Sequence, residues 1–540
     1  MKHVYLFFLL AILISCTSSN VDMIVHHAVI YTVDDQFSIK EAMAIKDGKI
    51  VAIGKNDEIL ARYNAGEIID AKGQALYPGL IDAHAHFVGY ARSLFQADLF
   101  GTKTWEETIE RLKVFALQHP ELKWIQGRGW DQNRWPGKQF PTNELLNKAF
   151  PNIPVVITRV DGHASIANQT ALDLAGIKAG QTVTGGDIQT QNGQLTGVLI
   201  DNADNAVYAK IPDPTKEDYN RVLKAAQTNC FAQGLTTVTD CGLNYYDVEM
   251  IDELHKANRL QMRLYVMLSD NDNNINKYLK TGPYKTDRLF VNGFKVYADG
   301  ALGSRGACLL QHYSDEPGWG GFLLRNKSHY DSLANVLSKT SFQMCTHAIG
   351  DSANREILNI YNKYLKPGND RRWRIEHAQI VHPDDFSKFG AAAIVPSVQP
   401  THGTSDMYWA TSRLGKERMK GAYAYKQLLQ QNGWLPLGTD FPVEDISPFK
   451  TFLAAVVRKD AAGYPAEGFQ MENALTRKEA VRGMTIWAAK SAFLEKEVGS
   501  LEPGKKADFI LMNQDLMKVK DTDILKTKVT ATYIGGKKVH

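Results

Sequence analysis

Two histidines two residues apart, His84 and His86, are the first residues of this chain whose types and spacing could do chemistry. They end the stretch Ile81-Asp82-Ala83-His84-Ala85-His86, which follows a short apolar run. Side chains alternate across an extended segment, so both imidazoles point to one side and can bind one metal ion. An H-x-H pair occurs often by chance, so a metal site is indicated only if further ligand residues follow.

Four more residues of the ligand type stand at or just past the ends of strand-like apolar runs, namely Lys295, His347, His377 and Asp440. Burying the ammonium of Lys295 in an apolar strand is costly. A depressed pKa followed by reaction with carbon dioxide would convert this lysine to a carbamate that bridges two cations. Imidazole and oxygen donors suit Zn²⁺, and they also accept iron, manganese or cobalt. The six residues together predict a site for one or two divalent metal ions.

Eight strand-like runs must position these residues, and most are separated by segments long enough for a helix. One such segment, Thr215 to Gln233, has apolar residues at helical spacing and is followed by Gly234 as a C-terminal cap. The runs are Leu76 to Ile81, Leu235 to Thr239, Met262 to Leu268, Val291 to Ala298, Phe342 to Thr346, Trp373 to Ile375, Ala392 to Val398 and Leu435 to Gly438. Eight β-then-α units predict an α/β fold, a parallel (β/α)₈ TIM barrel whose functional residues lie at the C-terminal ends of the strands.

The two ends of the chain share a sequence pattern that differs from the central β-then-α units, with short alternating strands and glycine-rich turns. Residues 22–76 and 498–540 therefore predict one small composite β-sandwich domain beside a barrel of residues 77–497. Residues 88–214 are too many for one barrel crossover, so we expect an inserted lobe over the barrel mouth. The tryptophans, arginines and histidines of this lobe either select the substrate or form the lobe's own core.

The N-terminus has the features of an export signal. A basic start and an apolar run predict a signal peptide over residues 1–15, and Leu13-Ile14-Ser15-Cys16 resembles a lipobox. We expect a lipidated Cys16, a tether over residues 16–21 and anchoring at the outer membrane of a Gram-negative cell. An ordinary secretory signal with a chance cysteine is the alternative. The net charge of +3, with its lysines and arginines scattered, gives no indication of nucleic-acid binding.

The wider motifs resemble the amidohydrolase superfamily, and in particular amidohydrolase family 3, which contains N-substituted formamide deformylases. The resemblance covers residues 22 to 540 and is carried by G-W-D at Trp130, G-F-K-V-Y-A-D-G-A-L-G-S-R at Lys295, T-H-A-I-G-D at His347, I-E-H-A at His377 and G-T-D-F-P-V at Asp440. All six ligand positions hold the residue types that the family uses.

The resemblance implies two metal ions, expected to be Zn²⁺, joined by a carbamylated Lys295. The first ion would be held by His84, His86, Lys295 and Asp440, and the second by Lys295, His347 and His377. A bridging hydroxide would attack a polarised amide carbonyl, while Asp440 takes the proton and returns it to the leaving amine. Glu376 and Asp351 are candidates to support the metal-binding rings.

Three further residues are candidate substrate contacts. By resemblance to a family motif, His163 would bind the substrate carbonyl or its oxyanion. Arg305 would bind a substrate anion or simply bridge loops, and Trp130 belongs to the inserted lobe's G-W-D motif. His402 follows the seventh strand and is expected near the pocket.

These residues indicate a metal-dependent hydrolase of a non-peptide C–N bond in a small-molecule amide, such as an N-formyl or N-acyl amine. The alternatives are hydrolysis of a cyclic amide, an aminated ring or an ester at a one-metal site, because the fold does not choose among them. A binding lipoprotein without catalysis is a third class, against which the complete ligand set argues. A homodimer is expected only by analogy with other such barrels.

Overall fold

A computed structural model of the protein describes residues 19–212 and 214–540. The predicted signal peptide, residues 1–15, and the predicted lipidation site Cys16 lie outside the described residues. Within the described ranges, no helix combines the length and the apolar character needed to cross a membrane.

The strands follow one another in four groups. The N-terminal group is β1 (Ser19–His26), β2 (Val29–Tyr31), β3 (Ile39–Lys40), β4 (Ala42–Lys46), β5 (Lys49–Gly54), β6 (Tyr63–Asp70) and β7 (Ala75–Pro78). The first barrel strand is β8 (Leu80–Ala85), and the inserted lobe holds β9 (Ala97–Asp98), β10 (Ile125–Trp130), β11 (Val155–Arg159), β12 (Ala164–Ala167), β13 (Gly186–Gln191) and β14 (Gln194–Asp201). The barrel continues with β15 (Leu235–Leu243), β16 (Arg263–Ser269), β17 (Tyr284–Lys285), β18 (Leu289–Tyr297), β19 (Gln343–Ala348), β20 (Arg374–His377) and β21 (Val395–Ser397). The C-terminal group is β22 (Phe509–Met512), β23 (Val529–Ile534) and β24 (Lys537–Lys538).

Helices lie between most of the barrel strands, and further helices belong to the inserted lobe and to the ends of the described chain. They are α1 (Asn56–Arg62), α2 (Phe87–Ser93), α3 (Trp105–Gln118), α4 (Glu144–Ala149), α5 (Gln169–Ala175), α6 (Asn205–Tyr208), α7 (Lys216–Ala232), α8 (Tyr245–Lys256), α9 (Asp272–Thr281), α10 (Lys327–Ser338), α11 (Asp351–Tyr364), α12 (Phe386–Ala391), α13 (Pro400–Asp406), α14 (Ala410–Arg418), α15 (Tyr425–Asn432), α16 (Pro448–Val456), α17 (Arg477–Gly483) and α18 (Ile486–Ser491). The predicted helix before β15 is confirmed as α7, because Thr215 caps its N-terminus in a capping box with Asp218 and Gly234 follows it with a φ of 79°.

The barrel sheet is parallel and runs in the order β8, β15, β16, β18, β19, β20, β21, while β17 pairs antiparallel with β18 at its margin. The eighth predicted strand, Leu435 to Gly438, does not form a regular strand. It lies between the two edge strands of this sheet, forming a parallel bridge from Leu437 to Val398, and the Leu437 carbonyl accepts a hydrogen bond from the Ala83 amide (3.1 Å). The described chain is therefore an α/β fold of the TIM-barrel type.

The first predicted barrel strand, Leu76 to Ile81, is two strands in the structure. The chain breaks at Gly79, whose position leaves no room for a Cβ atom because the side chain of Thr236 fills it. Before the break, β7 pairs with β2 and β22 in a sheet at the chain ends, and after it β8 enters the barrel. One apolar run thus contributes a strand to each of two sheets. Its hydrophobicity alone does not predict the break between them.

Two sheets made from the chain ends pack beside the barrel. One has the order β5, β4, β1, β6, and the other, β24, β23, β22, β7, β2, β3, combines strands from both ends of the chain. They share an apolar core that includes Val25, Ile45, Leu76 and Phe509. Strand β16 of the barrel is joined to this region by Arg263, whose Nε donates to Oδ2 of the buried Asp508 (2.6 Å).

The inserted lobe has a sheet of its own, in the order β13, β14, β12, β11, β10, β9. Its core contains Leu99, Trp130, Trp135, Ile157 and Val198, separate from the barrel core. The lobe's loops reach the C-terminal end of the barrel, where both line one cavity of about 1720 Å³.

Candidate metal centre

The barrel strands carry the six predicted ligands to one end of the sheet. His84 lies in β8, Lys295 in β18, His347 in β19 and His377 at the end of β20. His86 caps the N-terminus of α2, and Asp440 follows the segment that closes the barrel. All except His84 line the cavity directly, and His84 is fully buried behind them.

The carboxylate of Asp440 faces three of the predicted histidine ligands. Its Oδ1 lies 3.5 Å from Nε2 of His84 and 3.2 Å from Nε2 of His86, and its Oδ2 lies 4.0 Å from Nδ1 of His377. One ligand atom from each of His84, His377 and Asp440 can be chosen so that all three lie within 4.8 Å of one another. The structure therefore brings the predicted ligands of β8, β20 and the eighth segment into one cluster.

The spacing of these atoms fits a cation. Donor atoms about 2.1 Å from a tetrahedral Zn²⁺ lie about 3.4 Å from one another. The buried Oδ1 of Asp440 accepts no hydrogen bond within the described chain, although two imidazole nitrogens face it at close to that spacing. A buried carboxylate oxygen without a donor is costly unless a cation satisfies it.

Two of the cluster residues have unusual backbone conformations. His377 has a φ of 73° and Asp440 a φ of 64°, in the left-handed region that non-glycine residues seldom adopt. His377 ends β20 and Asp440 follows the irregular eighth segment, and at both positions the strained backbone turns the side chain into the cluster.

Lys295 is fully buried, with Nζ 3.2 Å from Nε2 of His84. Burial alone would lower the pKa of Lys295, but the nearby Tyr297, Glu376 and Asp440 outweigh it and raise that pKa above its ordinary value. The depressed pKa expected from the sequence is thus wrong for the protein alone, because acidic groups surround the ammonium. Divalent cations in the same site would act in the opposite direction on this pKa.

His347 lies beside this cluster, 4.5 Å from His377 between ring centroids. Its Nε2 is 3.5 Å from the carbonyl oxygen of Gly300 and 3.6 Å from Oδ1 of Asp299. Burial, together with the neighbouring His377, His163 and Lys295, holds the pKa of His347 well below its usual value. The ring is therefore neutral and able to act as a metal ligand.

Two groups support the rings from behind. Glu376 contacts Nδ1 of His84 and is itself paired with Arg374, whose Nε lies 2.6 Å from Oε1. Nδ1 of His377 lies 2.7 Å from Oε1 of Gln399, a contact that the sequence did not reveal. The predicted role of Asp351 is not supported, because Asp351 begins α11 and its Oδ1 accepts from the Leu310 amide (2.8 Å).

His163 enters the cavity from the inserted lobe. Its Nδ1 lies 2.6 Å from Oδ1 of the buried Asp201, and its ring centroid is 4.9 Å from that of His347. Burial lowers the pKa of His163, but Asp201 more than offsets this and raises it above the ordinary value. Asp201 thus favours the protonated ring of His163, which lies beside the predicted metal ligand His347.

His402, at the start of α13, also faces the cluster, with Nε2 3.4 Å from Oδ2 of Asp440. Burial disfavours the charged ring, yet the neighbouring carboxylates, Asp440 first among them, raise the pKa of His402 to about 9. The expected position near the pocket is therefore observed.

Two candidate substrate contacts lie elsewhere. Trp130 is fully buried in the lobe core and donates from Nε1 to the Ile157 carbonyl (3.1 Å), so its size serves packing rather than the cavity. Arg305 bridges loops, with its guanidinium 3.2 Å from Asp315 and 2.8 Å from Glu316. Neither side chain lines the cavity, so the structure does not support substrate binding by them, whereas the ion pairs of Arg305 match its predicted alternative of bridging loops.

Comparison with known proteins agrees with this geometry. The sequence pattern described as the Amidohydrolase family matches residues 67–540. Protein LONG AFTER FAR-RED 3 of Arabidopsis thaliana is 31% identical over 96% of this chain and 91% of its own. N-substituted formamide deformylase of Arthrobacter pascens is 25% identical over 95% of this chain and 97% of its own.

A solved structure has a similar fold. It is a metal-dependent hydrolase of unassigned role from Pyrococcus horikoshii, with a TM-score of 0.75, 27% identity, and coverage of 92% of this chain and 99% of that one. The family match spans most of the sequence and includes every predicted metal ligand. The chain therefore belongs to the amidohydrolase family and has the fold of a metal-dependent hydrolase.

Proposed function

We propose that this protein hydrolyses a non-peptide amide C–N bond in a small molecule of the N-formyl or N-acyl amine class. The observation that carries the proposal is the buried Asp440 carboxylate, which faces His84 and His86 at the spacing of shared metal ligands. The similarity to the Arthrobacter pascens protein named N-substituted formamide deformylase favours the amide bond over an ester.

The residues present fit two Zn²⁺ ions bridged by a carbamylated Lys295. His84, His86, Lys295 and Asp440 would hold the first ion, and Lys295, His347 and His377 the second. Bound divalent cations supply Lewis acidity, which polarises an amide carbonyl and makes water a nucleophile near neutral pH.

Side chains of the protein itself would transfer the proton and stabilise the oxyanion. Burial raises the pKa of Asp440, but His84, His402 and the other neighbouring rings lower it far more, so Asp440 is ionised and can accept a proton from water. It then returns that proton to the leaving nitrogen. His163, oriented by Asp201, donates to the carbonyl oxygen as negative charge develops there.

One observation favours a second candidate, a one-metal hydrolase or deaminase acting on a cyclic amide or an aminated ring. The side chains of His84, His377 and Asp440 form a group of three ligand atoms that includes neither Lys295 nor His347. These three ligand atoms lie within 4.8 Å of one another and would hold a single ion.

A screen of N-formyl and N-acetyl amines, with cyclic amides, aminopurines and esters beside them, tests the choice of bond. The amide proposal expects turnover of acyclic amides by the zinc-loaded protein and a loss of about 10²- to 10⁴-fold in Asp440→Asn. Turnover confined to cyclic amides, aminated rings or esters would overturn it.

We also propose that the protein is exported and anchored to the outer membrane by a lipid on Cys16. The lipobox-like Leu13-Ile14-Ser15-Cys16 supports this proposal. Membrane fractionation of cells expressing the full chain tests it. The native chain is expected in the outer-membrane fraction, and Cys16→Ser in the periplasm or the inner membrane; an unchanged distribution would refute lipidation at this residue.

A further inference from the structure

The inserted lobe presents one arginine to the cavity without a counter-ion. Arg128 lies in β10, and the glycines on either side of it face the other way. A Cβ atom at Gly127 would come within 2.9 Å of Leu99, and one at Gly129 within 2.5 Å of Phe100. Since side chains alternate along a strand, the Arg128 side chain projects from the opposite face, into the cavity.

The guanidinium of Arg128 has few partners. Of its five N–H donors, one reaches the Val160 carbonyl at a long 3.4 Å, and the buried Nε has no acceptor within the described chain. No carboxylate in residues 19–212 and 214–540 forms an ion pair with Arg128, and Asp161, a carboxylate near it, is already paired with Arg159 (2.5 Å). Burial lowers the pKa of Arg128, and the nearby acidic groups do not make up for it.

Three other cations that line the cavity are paired with carboxylates or held against a ring. Arg159 pairs with Asp131 and Asp161, and Lys450 lies 2.6 Å from Asp445. Arg134 stacks over the ring of Tyr408 at 4.5 Å. Arg128 therefore differs from these cations in presenting unused donors to the interior of the cavity.

The position of Arg128 relates it to the reaction centre. Its guanidinium lies over Gly162, 3.4 Å from where a Cβ atom of that residue would be, and the next residue is His163. His163 in turn stands beside His347. A substrate whose carbonyl reaches His163 would therefore bring a neighbouring substituent to Arg128.

Resting on the proposed amide hydrolysis, we propose that Arg128 binds a carboxylate on the amine portion of the substrate, so that the substrates are N-formyl or N-acyl amino acids. The planar guanidinium fork matches a carboxylate in a bidentate pair. A single unpaired guanidinium suits a monoanion better than a phosphate dianion. With a small acyl group at the metal centre, the amine portion is the part that extends towards the inserted lobe.

The test compares N-formylphenylalanine with N-formylphenethylamine, which lacks only the carboxylate. The zinc-loaded native chain is expected to prefer the carboxylated compound by about 10-fold or more in kcat/KM. Arg128→Met is expected to abolish that preference by raising KM, with kcat and the turnover of the neutral compound little changed. Arg128→Lys should restore part of it.

Arg134→Met is the matched control, because it removes one positive charge from the same cavity. If the two variants lose the preference equally, the effect is one of net charge and the proposal is overturned. A native chain that hydrolyses both compounds equally would also overturn it while leaving amide hydrolysis intact.

Calorimetry on the zinc-loaded Asp440→Asn chain measures binding of the two compounds without hydrolysis, so it tests the carboxylate site independently of the proposed reaction. Binding of N-formylphenylalanine that is lost on adding Arg128→Met supports the carboxylate site even if no amide is ever hydrolysed. Absence of binding, or equal binding of both compounds, would refute it.

Discussion

The carboxylate of Glu376 contacts Nδ1 of His84, the ring nitrogen that faces away from Asp440. This contact fixes the ring so that Nε2 points into the cluster, and it makes the imidazole a stronger donor. Because Arg374 pairs with the same carboxylate, the orientation of the predicted ligand is set by a buried ion pair within β20.

Glu376→Gln should weaken metal binding by about 10- to 100-fold, because the ring loses its anionic partner. Competition with a chelator of known affinity measures this. Asp351→Asn is the control, since Asp351 touches no metal-binding ring, and it should bind metal as the native chain does. Equal affinities for the native chain and Glu376→Gln would show that the contact does not tune the site.

Asp440→Asn should retain most of the metal but lose turnover by about 10²- to 10⁴-fold, because an amide cannot accept the proton. Steady-state kinetics on metal-loaded protein checks this, with metal content measured on the same samples. Unchanged turnover would eliminate Asp440 as the proton carrier.

His163→Ala should lower kcat by about 10²- to 10³-fold, as expected when one donor to a developing oxyanion is removed. Asp201→Asn should give a smaller loss, because the ring keeps a hydrogen-bond acceptor at Nδ1. The control is metal content, which neither substitution should change. A rise in KM without a fall in kcat would instead make His163 a ground-state contact.

Trp130→Ala should destabilise the inserted lobe by about 3–5 kcal/mol, because a fully buried indole leaves a cavity. Thermal unfolding of the native and substituted chains measures this. Trp130→Phe should recover part of the loss. If Trp130→Ala left stability intact but raised KM selectively, the side chain would be a substrate contact after all.

The pH dependence of stability should show the ion pairs of Asp287. Burial raises the pKa of this carboxyl, but Lys506 and Arg263 lower it to about 2. A depressed folded pKa stabilises the protein above the ordinary value of 3.8 and ceases to do so as the pH falls towards 2. The side chain is 71% exposed, so solvent screening reduces the effect to about 0.5 kcal/mol.

Asp287→Asn should therefore lower the melting temperature slightly at neutral pH, and the difference should shrink as the pH approaches 3 or below. A difference that stayed constant over that range would show that these ion pairs do not titrate in this way.

The sequence predicted the α/β barrel, because strand-like apolar runs and the ligand residues that follow them are local patterns. Four of the predicted ligands lie in barrel strands, whereas His86 lies one residue beyond β8 and Asp440 follows the irregular eighth segment. What the sequence missed depends on long-range contacts. The split at Gly79 requires knowledge of Thr236, and the contact of Gln399 with His377 joins the residue before α13 to the end of β20.

The placement of Trp130 and Arg305 away from the cavity could not be predicted, for a common physical reason. A motif shows that a residue type is needed but not whether its side chain faces a cavity or a core. The G-R-G-W run places Arg128 and Trp130 two residues apart, yet the left-handed Gly129 and a register shift between them send one side chain to the cavity and the other into the lobe.

Metal content per chain, measured by elemental mass spectrometry on protein purified without chelator, is the most direct test of the proposed two-metal site. Two equivalents of a transition metal, with a mass increase of about 44 Da on Lys295 and a loss of metal in His84→Ala, are the predicted result. One equivalent without that mass increase would contradict the two-metal site and support the one-metal alternative. A well-folded protein that binds no metal at all would contradict the assignment of a metal-dependent hydrolase.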